Sequence, residues 1–225
     1  STKHLKNLML MSAASSATST TNGRQEVAVC DYLLYYPFID TDAIGEEQVM
    51  DNTVTLPRYA AQGGQVVAVA QSAASAIGQF TFSYTNQDGV SGRTSQNNYT
   101  FIVAGGGQVV GASGAGASYN PFCYLQVGDT AVRSIESVTM SAAGGGLMCL
   151  VIVKPLIKTV VSQECRRTTT GNLESYGACT ELSSVIHQAG APRILDGAVI
   201  GLLAAGYSGS LASSILSGAL EVIWN

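Results

Sequence analysis

The most regular pattern in the chain lies at Gln79–Thr85, QFTFSYT. Phe80, Phe82 and Tyr84 alternate with Gln79, Thr81 and Ser83, which predicts a strand with one buried face. Asn86–Gly89 follows with an Asp-Gly turn signal, and the alternation resumes through Tyr99, Phe101 and Val103. The two runs are expected to pair as a hairpin-like unit across Asp88–Gly89 and the polar Ser91–Asn97. Other strand-like runs are Val27–Ile39, Gln65–Gln71, Val132–Ser141 and Leu147–Lys154, the last two flanking Gly144–Gly146. At Leu220–Trp224 the residues Leu220, Val222 and Trp224 share one apolar face, so Trp224 is expected in the core beside Phe80, Phe82 and Tyr84.

Helical periodicity is weak. Residues 3–14 and 208–217 are the only stretches that could form short helices. Many short strands separated by Gly-rich turns predict an all-β fold, a β-sandwich or jelly roll. No sharp boundary divides residues 24–225, which read as a single β domain. Within it, 162–182 turns polar and is expected to be a loop or small insertion. Residues 12–23, SAASSATSTTNG, are low in complexity and in isolation should be disordered. The first 23 residues therefore read as an arm. Its sizeable apolar side chains are Leu5, Leu8, Met9, Leu10 and Met11, and these are expected to anchor it on a neighbouring chain. Ordering such an arm costs on the order of 1–2 kcal/mol per residue of backbone entropy, which contacts must offset.

Composition sharpens this picture. The 225 residues are 46% hydrophobic and only 12% charged, against roughly 25% charged in a typical soluble domain. Gly, Ala, Ser, Thr, Asn and Gln replace the missing charge, giving a polar surface that is cheap to desolvate against another protein. Net charge is −4, and Arg166–Arg167 is the one adjacent basic pair, so direct nucleic-acid binding is not expected. The apolar runs Leu147–Val153 and Ala198–Ala205 fall short of the about 20 residues of a membrane-spanning helix. Residues 3–14 imitate a secretion signal only faintly, because their apolar part is too short. The five cysteines, Cys30, Cys123, Cys149, Cys165 and Cys179, have neither disulfide-framework nor zinc spacing. Cys30 and Cys149 read as small core residues, and Cys165 with Cys179 could close a loop.

The parts for chemistry are sparse. His4 and His187 have no nucleophile and orienting acid in sequence context, and no G-x-S-x-G occurs. Gly105–Gly107 and Gly111–Gly116 lack the Gly-Lys-Ser/Thr of a phosphate loop. Asp40, Asp42, Gly45 and Asp51 fall at calcium-loop positions 1, 3, 6 and 12, but Ile44 and the terminal Asp break the pattern, so these three aspartates read as a solvated acidic turn. Nothing sets two of Asp31, Asp40, Asp42, Glu46, Glu47 and Asp51 across a cleft as a glycosidase requires. No cofactor and no enzymatic activity are expected.

Leu33–Asp40 (LLYYPFID), Val54–Tyr59 (VTLPRY), Thr81–Arg93 (TFSYTNQDGVSGR), Gly128–Ser141 (GDTAVRSIESVTMS), Leu150–Leu156 (LVIVKPL) and Leu220–Asn225 (LEVIWN) resemble segments of tailed-bacteriophage virion structural proteins. The resemblance runs from about residue 27 to the end and carries no site motif. It implies a virion component, in particular a capsid decoration or cement protein that binds the major capsid protein and its own copies as a homo-oligomer. A tail, neck or fibre component is the alternative within that class. A carbohydrate-binding β-sandwich is the alternative outside it, with Tyr35, Tyr36, Tyr59, Tyr99, Tyr119, Tyr124 and Trp224 as stacking aromatics.

Overall fold

In the computed structural model the described residues are 2–14, 24–100, 109, 111–112, 120–162, 164–167, 173–176, 178–183, 192–206 and 214–224. They form strands and connecting turns, with no helix among them, and the protein is all-β. Residues 3–14, rich in the helix formers Leu, Met and Lys, form strand β1 (Lys3–Ala14) and not the short helix expected. Pairing with distant strands overrides local propensity here. Residues 214–217 likewise open the last strand, while 207–213 lie outside the described residues.

The chain divides into two compact units, not into an arm and one domain. One comprises residues 1–29, 156–198 and 202–225; the other comprises 30–155 and 199–201. Three of the boundaries fall inside strands β2 (Arg24–Asp40), β10 (Leu147–Ser162) and β15 (Ile200–Gly206), where no linker or shift in composition marks them, and the fourth, at 198/199, falls just before β15.

The second unit is a β-sandwich. One sheet has the order β15-β2-β10-β4, with β4 at Gln65–Ala70. The other contains β3 (Glu47–Val49), β9 (Val132–Ala142), β5 (Gln79–Asn86), β7 (Asn98–Thr100) and β8 (Gly111–Ala112) in that spatial order, and β6 (Arg93–Thr94) also pairs with β5. Phe80, Phe82 and Tyr84 are fully buried, and their neighbours on β5 are half-exposed. The ring centroids of Phe82 and Tyr84 lie 5.5 Å apart. These rings meet Leu33, Tyr36 and Ile39 of β2, and Met148, Leu150 and Ile152 of β10 within one core. After β5 the chain turns at Asn86–Gly89 and pairs back, first through Tyr84↔Arg93 and then through Phe80↔Asn98. The Phe101 and Val103 part of the expected partner strand lies outside the described residues.

Bulges break strict alternation in β9. Tyr84 pairs with Ile135 and Ser83 with Ser137, so Glu136 is the extra residue. Its carboxylate accepts hydrogen bonds from Ser83 Oγ at 2.9 Å and Thr85 Oγ1 at 2.8 Å, tying it across the strands.

In the first unit β1 is an inner strand. Its residues Asn7–Ser12 pair with β13 (Ala178–Ser183) and Lys3–His4 with β14 (Arg193–Ile194), while β16 (Ser214–Trp224) runs along the opposite edge from Lys3 to Ala14. Leu5 and Leu8 are 0% and 2% exposed. These two expected arm anchors are therefore buried within their own chain, because β1 occupies the middle of a sheet. Met9, Leu10 and Met11 continue the strand, and their side chains lie outside the described ones. The polar 162–182 segment is not a loop insertion: it contributes a hairpin of β11 (Glu164–Arg167) and β12 (Leu173–Tyr176) and the start of β13.

Trp224 is 72% exposed, which corrects its placement in the core. Leu220, Val222 and Trp224 do pair opposite Leu8, Leu5 and Lys3. The ring stands at the end of a strand whose one partner among the described residues is β1, beside a lysine, and remains in solvent.

The two aromatic stripes should separate by mutation. Phe82→Ala should lose about 3–5 kcal/mol, as core aromatics do, while Trp224→Ala should change stability by no more than ~0.5 kcal/mol. Urea unfolding of both variants checks this; equal losses would contradict the assignment.

Candidate functional site

Among the described residues, those with chemical potential are dispersed or already committed to the fold. His4 lies in β1 opposite Arg193 and Ile223, and His187 lies outside the described residues. Asp40 accepts from the Asp42 backbone N–H, Asp42 from that of Gly145 and Asp51 from that of Thr53, at 2.8–2.9 Å. Each of the three calcium-loop candidates thus caps backbone. Among the described residues no group of three or more His, Cys, Asp or Glu side chains could hold a metal. Gly111 belongs to β8, while Gly105–Gly107 and Gly114–Gly116 lie outside the described residues. The side chains of Cys165 and Cys179 also lie outside the described ones. Cys123 is buried, which pushes its thiol up to about 12, and Cys149 is shifted upward by the same cause. Neither thiol is activated.

Two ionic networks brace the sandwich. Asp31 is fully buried and receives a two-pronged contact from Arg58, Nε and Nη2 each at 2.7 Å, together with the Val199 N–H at 2.9 Å. Asp129, 4% exposed at its side chain, accepts from Arg93 Nε at 2.9 Å, Tyr84 Oη at 2.6 Å and Asn86 Nδ2 at 2.9 Å. Burial pushes the Asp129 carboxyl upward, but the donors from Arg93, Tyr84 and Asn86 outweigh it and hold the group down at about 2. Burial, with donation to Asp129, raises the Tyr84 hydroxyl to about 12. Neither carboxylate is presented to a substrate.

A different kind of site forms at one end of the sandwich, where three turns are stitched together. Thr41 N–H donates to Gly146 O, Gly144 N–H to Thr41 O, Ser75 N–H to Gly145 O and Ala76 N–H to Gly144 O, all at 2.9–3.1 Å. The Leu147 N–H donates to Ser72 Oγ at 2.8 Å, and Gln71 N–H to Leu147 O at 2.8 Å. Gly145 and Gly146 have φ of +70° and +139°, and a Cβ on them would strike Ser75 and the Ala73 carbonyl. The glycine turn can therefore lie directly on the neighbouring backbone.

This scaffold carries four exposed apolar side chains: Phe38 (73%), Ile44 (55%), Ile77 (57%) and Leu147 (38%). Phe38 is held out by the strand itself. From Leu33 to the end of β2 the buried positions fall at Leu33, Tyr36 and Ile39, a spacing of three where a regular strand has two. Tyr36 is fixed by its hydroxyl, which donates to Asn52 and accepts from the Ile135 N–H. Between the anchors Tyr36 and Ile39, Phe38 takes φ of +62°, and its N–H donates to Gln71 Oε1 at 2.6 Å. A left-handed non-glycine residue costs of order 1–3 kcal/mol, and such strain concentrates at functional positions. Exposed Asp40, Asp42, Glu46 and Glu47 border the platform, and no Lys or Arg occurs in 38–50, 71–78 or 140–147. The platform offers no acid, base or nucleophile poised for reaction. It offers apolar surface on a rigid frame with a negative rim.

The sequence reading did not single out these four residues. The available signals were the Gly144–Gly146 run and the lost alternation after Leu33. The stacking aromatics scatter by contrast: Tyr36 is buried, Tyr35 and Trp224 are strongly exposed in different units, and Tyr119 lies outside the described residues. No protein-family model matches this chain, and no curated protein or solved structure matches it either.

The Asp129 network makes stability depend on acid. With the folded carboxyl at about 2 and an unfolded one near ~3.9, its contribution is complete above about pH 5 and is lost as pH falls through about 2. Asp129→Asn should lower the urea midpoint clearly at pH 6 and by about half as much at pH 3. A deficit equal at both pH values would show that the charge is not the cause.

Proposed function

We propose that this chain is a non-enzymatic structural subunit that docks through the Phe38–Ile44–Ile77–Leu147 end of its sandwich onto another protein. The strained, outward-held Phe38 carries this reading. Fully burying four such side chains contributes at most about 6–12 kcal/mol, against an association cost of about 4–15 kcal/mol. A single contact is therefore weak to moderate, and firm attachment needs many copies or a second contact. The carboxylate rim suits a partner whose apolar surface is edged with Lys or Arg, which speeds encounter and penalises acidic surfaces.

The resemblance to tailed-bacteriophage virion proteins gives the proposal its specific form. The chain would decorate and stabilise the outer shell of a capsid, bound to the major capsid protein and to its own copies. Low overall charge and the lack of poised chemistry among the described residues are compatible with that role. A neck, tail or fibre position is distinguished by stoichiometry: decoration implies on the order of hundreds of copies per particle, and the alternative on the order of a dozen.

Quantitative mass spectrometry of purified particles tests the location. Particles assembled with the Phe38→Ser, Ile44→Ser double variant test the surface. The variant should fold with a melting temperature close to that of the parent but be depleted at least tenfold from the particles. Normal incorporation of the variant would refute the docking surface, and absence of the parent protein from particles would refute the virion role.

A further inference from the structure

The segment from Tyr36 to Asp40 sets the direction of the Phe38 ring, and two glutamines grip its backbone. Buried Tyr36 and Ile39 lie three residues apart, so the stretch between them holds one residue more than regular alternation needs. Strands absorb such a residue in a bulge, and a left-handed residue in a bulge is ordinarily Gly. Here the left-handed conformation, φ of +62°, falls to Phe38. A side chain at this φ is strained, and the exposed ring recovers little by burial within its own chain.

Backbone groups on both sides of the strained residue are bonded by side-chain amides. The Phe38 N–H donates to Gln71 Oε1 at 2.6 Å. The Asp40 N–H donates to Gln48 Oε1, and Gln48 Nε2 donates to the Asp40 carbonyl, both at 2.8 Å. Gln71 follows β4 in one sheet, and Gln48 lies in β3 of the other. Gln71 also orients a second platform residue, since its own N–H donates to Leu147 O at 2.8 Å. The two carboxamides have different duties. Toward Phe38, Gln71 acts as an acceptor alone, whereas Gln48 both accepts from Asp40 and donates to it.

We propose that Gln71 and Gln48 are positioning residues of the apolar platform, holding Phe38 left-handed so that its ring stays directed at a partner. The proposal rests on the docking role assigned above to that platform. The two duties decide which substitution each position tolerates. A carboxylate accepts an N–H as a carboxamide does, so Gln71→Glu keeps the bond to Phe38. Gln48→Glu has nothing to donate to the Asp40 carbonyl and sets an acceptor oxygen and a like charge against Asp40. If the glutamines were merely polar surface residues, the two substitutions would be equivalent. Phe38→Gly relieves the strain, so the fold by itself favours Gly at this position and the ring serves what it meets outside the chain.

NMR of the isolated full-length chain tests the positioning. The Phe38 Cα shift, which reports φ, should move toward the strand value in Gln71→Ala and in Gln48→Glu, and stay in place in Gln71→Glu. The Phe38 amide should exchange about tenfold faster in Gln71→Ala. Phe38→Gly should melt at a higher temperature than the parent. An unmoved Phe38 signal in Gln71→Ala, equal effects of the two Glu substitutions, or a lower melting temperature of Phe38→Gly would each overturn the proposal. In particles, Gln71→Ala and Phe38→Gly should be depleted and Gln71→Glu retained. Normal incorporation of Gln71→Ala despite a displaced Phe38 signal would overturn the positioning role. Absence of the parent from particles would instead refute the virion role, and the isolated-chain signals still decide what Gln71 and Gln48 do.

Discussion

Close approach of backbone to backbone at Gly144–Gly146 is the constraint on which the exposed apolar end of the sandwich depends. Two of these glycines adopt positive φ and leave no room for a Cβ against Ser75 and Ala73. That contact allows the turns around Thr41, Ser75 and Gly144 to exchange backbone hydrogen bonds directly. A rigid end follows, and rigidity keeps Phe38 and Ile44 in water where a mobile loop would fold them inward. Apolar side chains on a fixed frame lose little conformational freedom on binding, so more of their burial energy survives as affinity.

The polar groups of the same unit serve the frame and not a reaction. Asp31 with Arg58 and Asp129 with Arg93 are charges taken out of water whose remaining valences are filled by backbone or neighbouring side chains. Such pairs add less to stability than to uniqueness of arrangement, because their desolvation cancels much of their attraction. Asp129 clamps the turn after Val127 to the inward Tyr84, and Glu136 from its bulge joins Ser83 and Thr85 of β5 to the bend at Gly92.

How much of this was legible in the sequence depends on the range of the interaction. The alternation at Gln79–Thr85 locates a strand whose inner face is buried, because period two and burial agree there. The same alternation at Leu220–Trp224 locates a strand but misplaces its ring. Periodicity tells which residues share a face, and not whether another layer covers that face. Strand β1 was unreadable locally: its partners lie some two hundred residues away, as the Lys3–Asp196 and Lys6–Glu221 contacts show. Its Leu and Met content suggested helix, and its polar sequel suggested an arm. The proposed docking platform was hidden for a related reason. Phe38, Ile44, Ile77 and Leu147 are unremarkable singly, and only the glycine turn brings their loops to one end.

Hydroxyl-radical footprinting of the isolated chain and of the same chain in its native assembly tests the central claim most directly, because it reads exposure at these side chains without altering them. Phe38, Ile44, Ile77 and Leu147 should label strongly when the chain is alone and lose most of that labelling in the assembly, while the exposed Val54 and Val127 serve as internal references. Undiminished labelling of the four in an assembly that protects other parts of the chain would show that the partner binds elsewhere and would contradict the account.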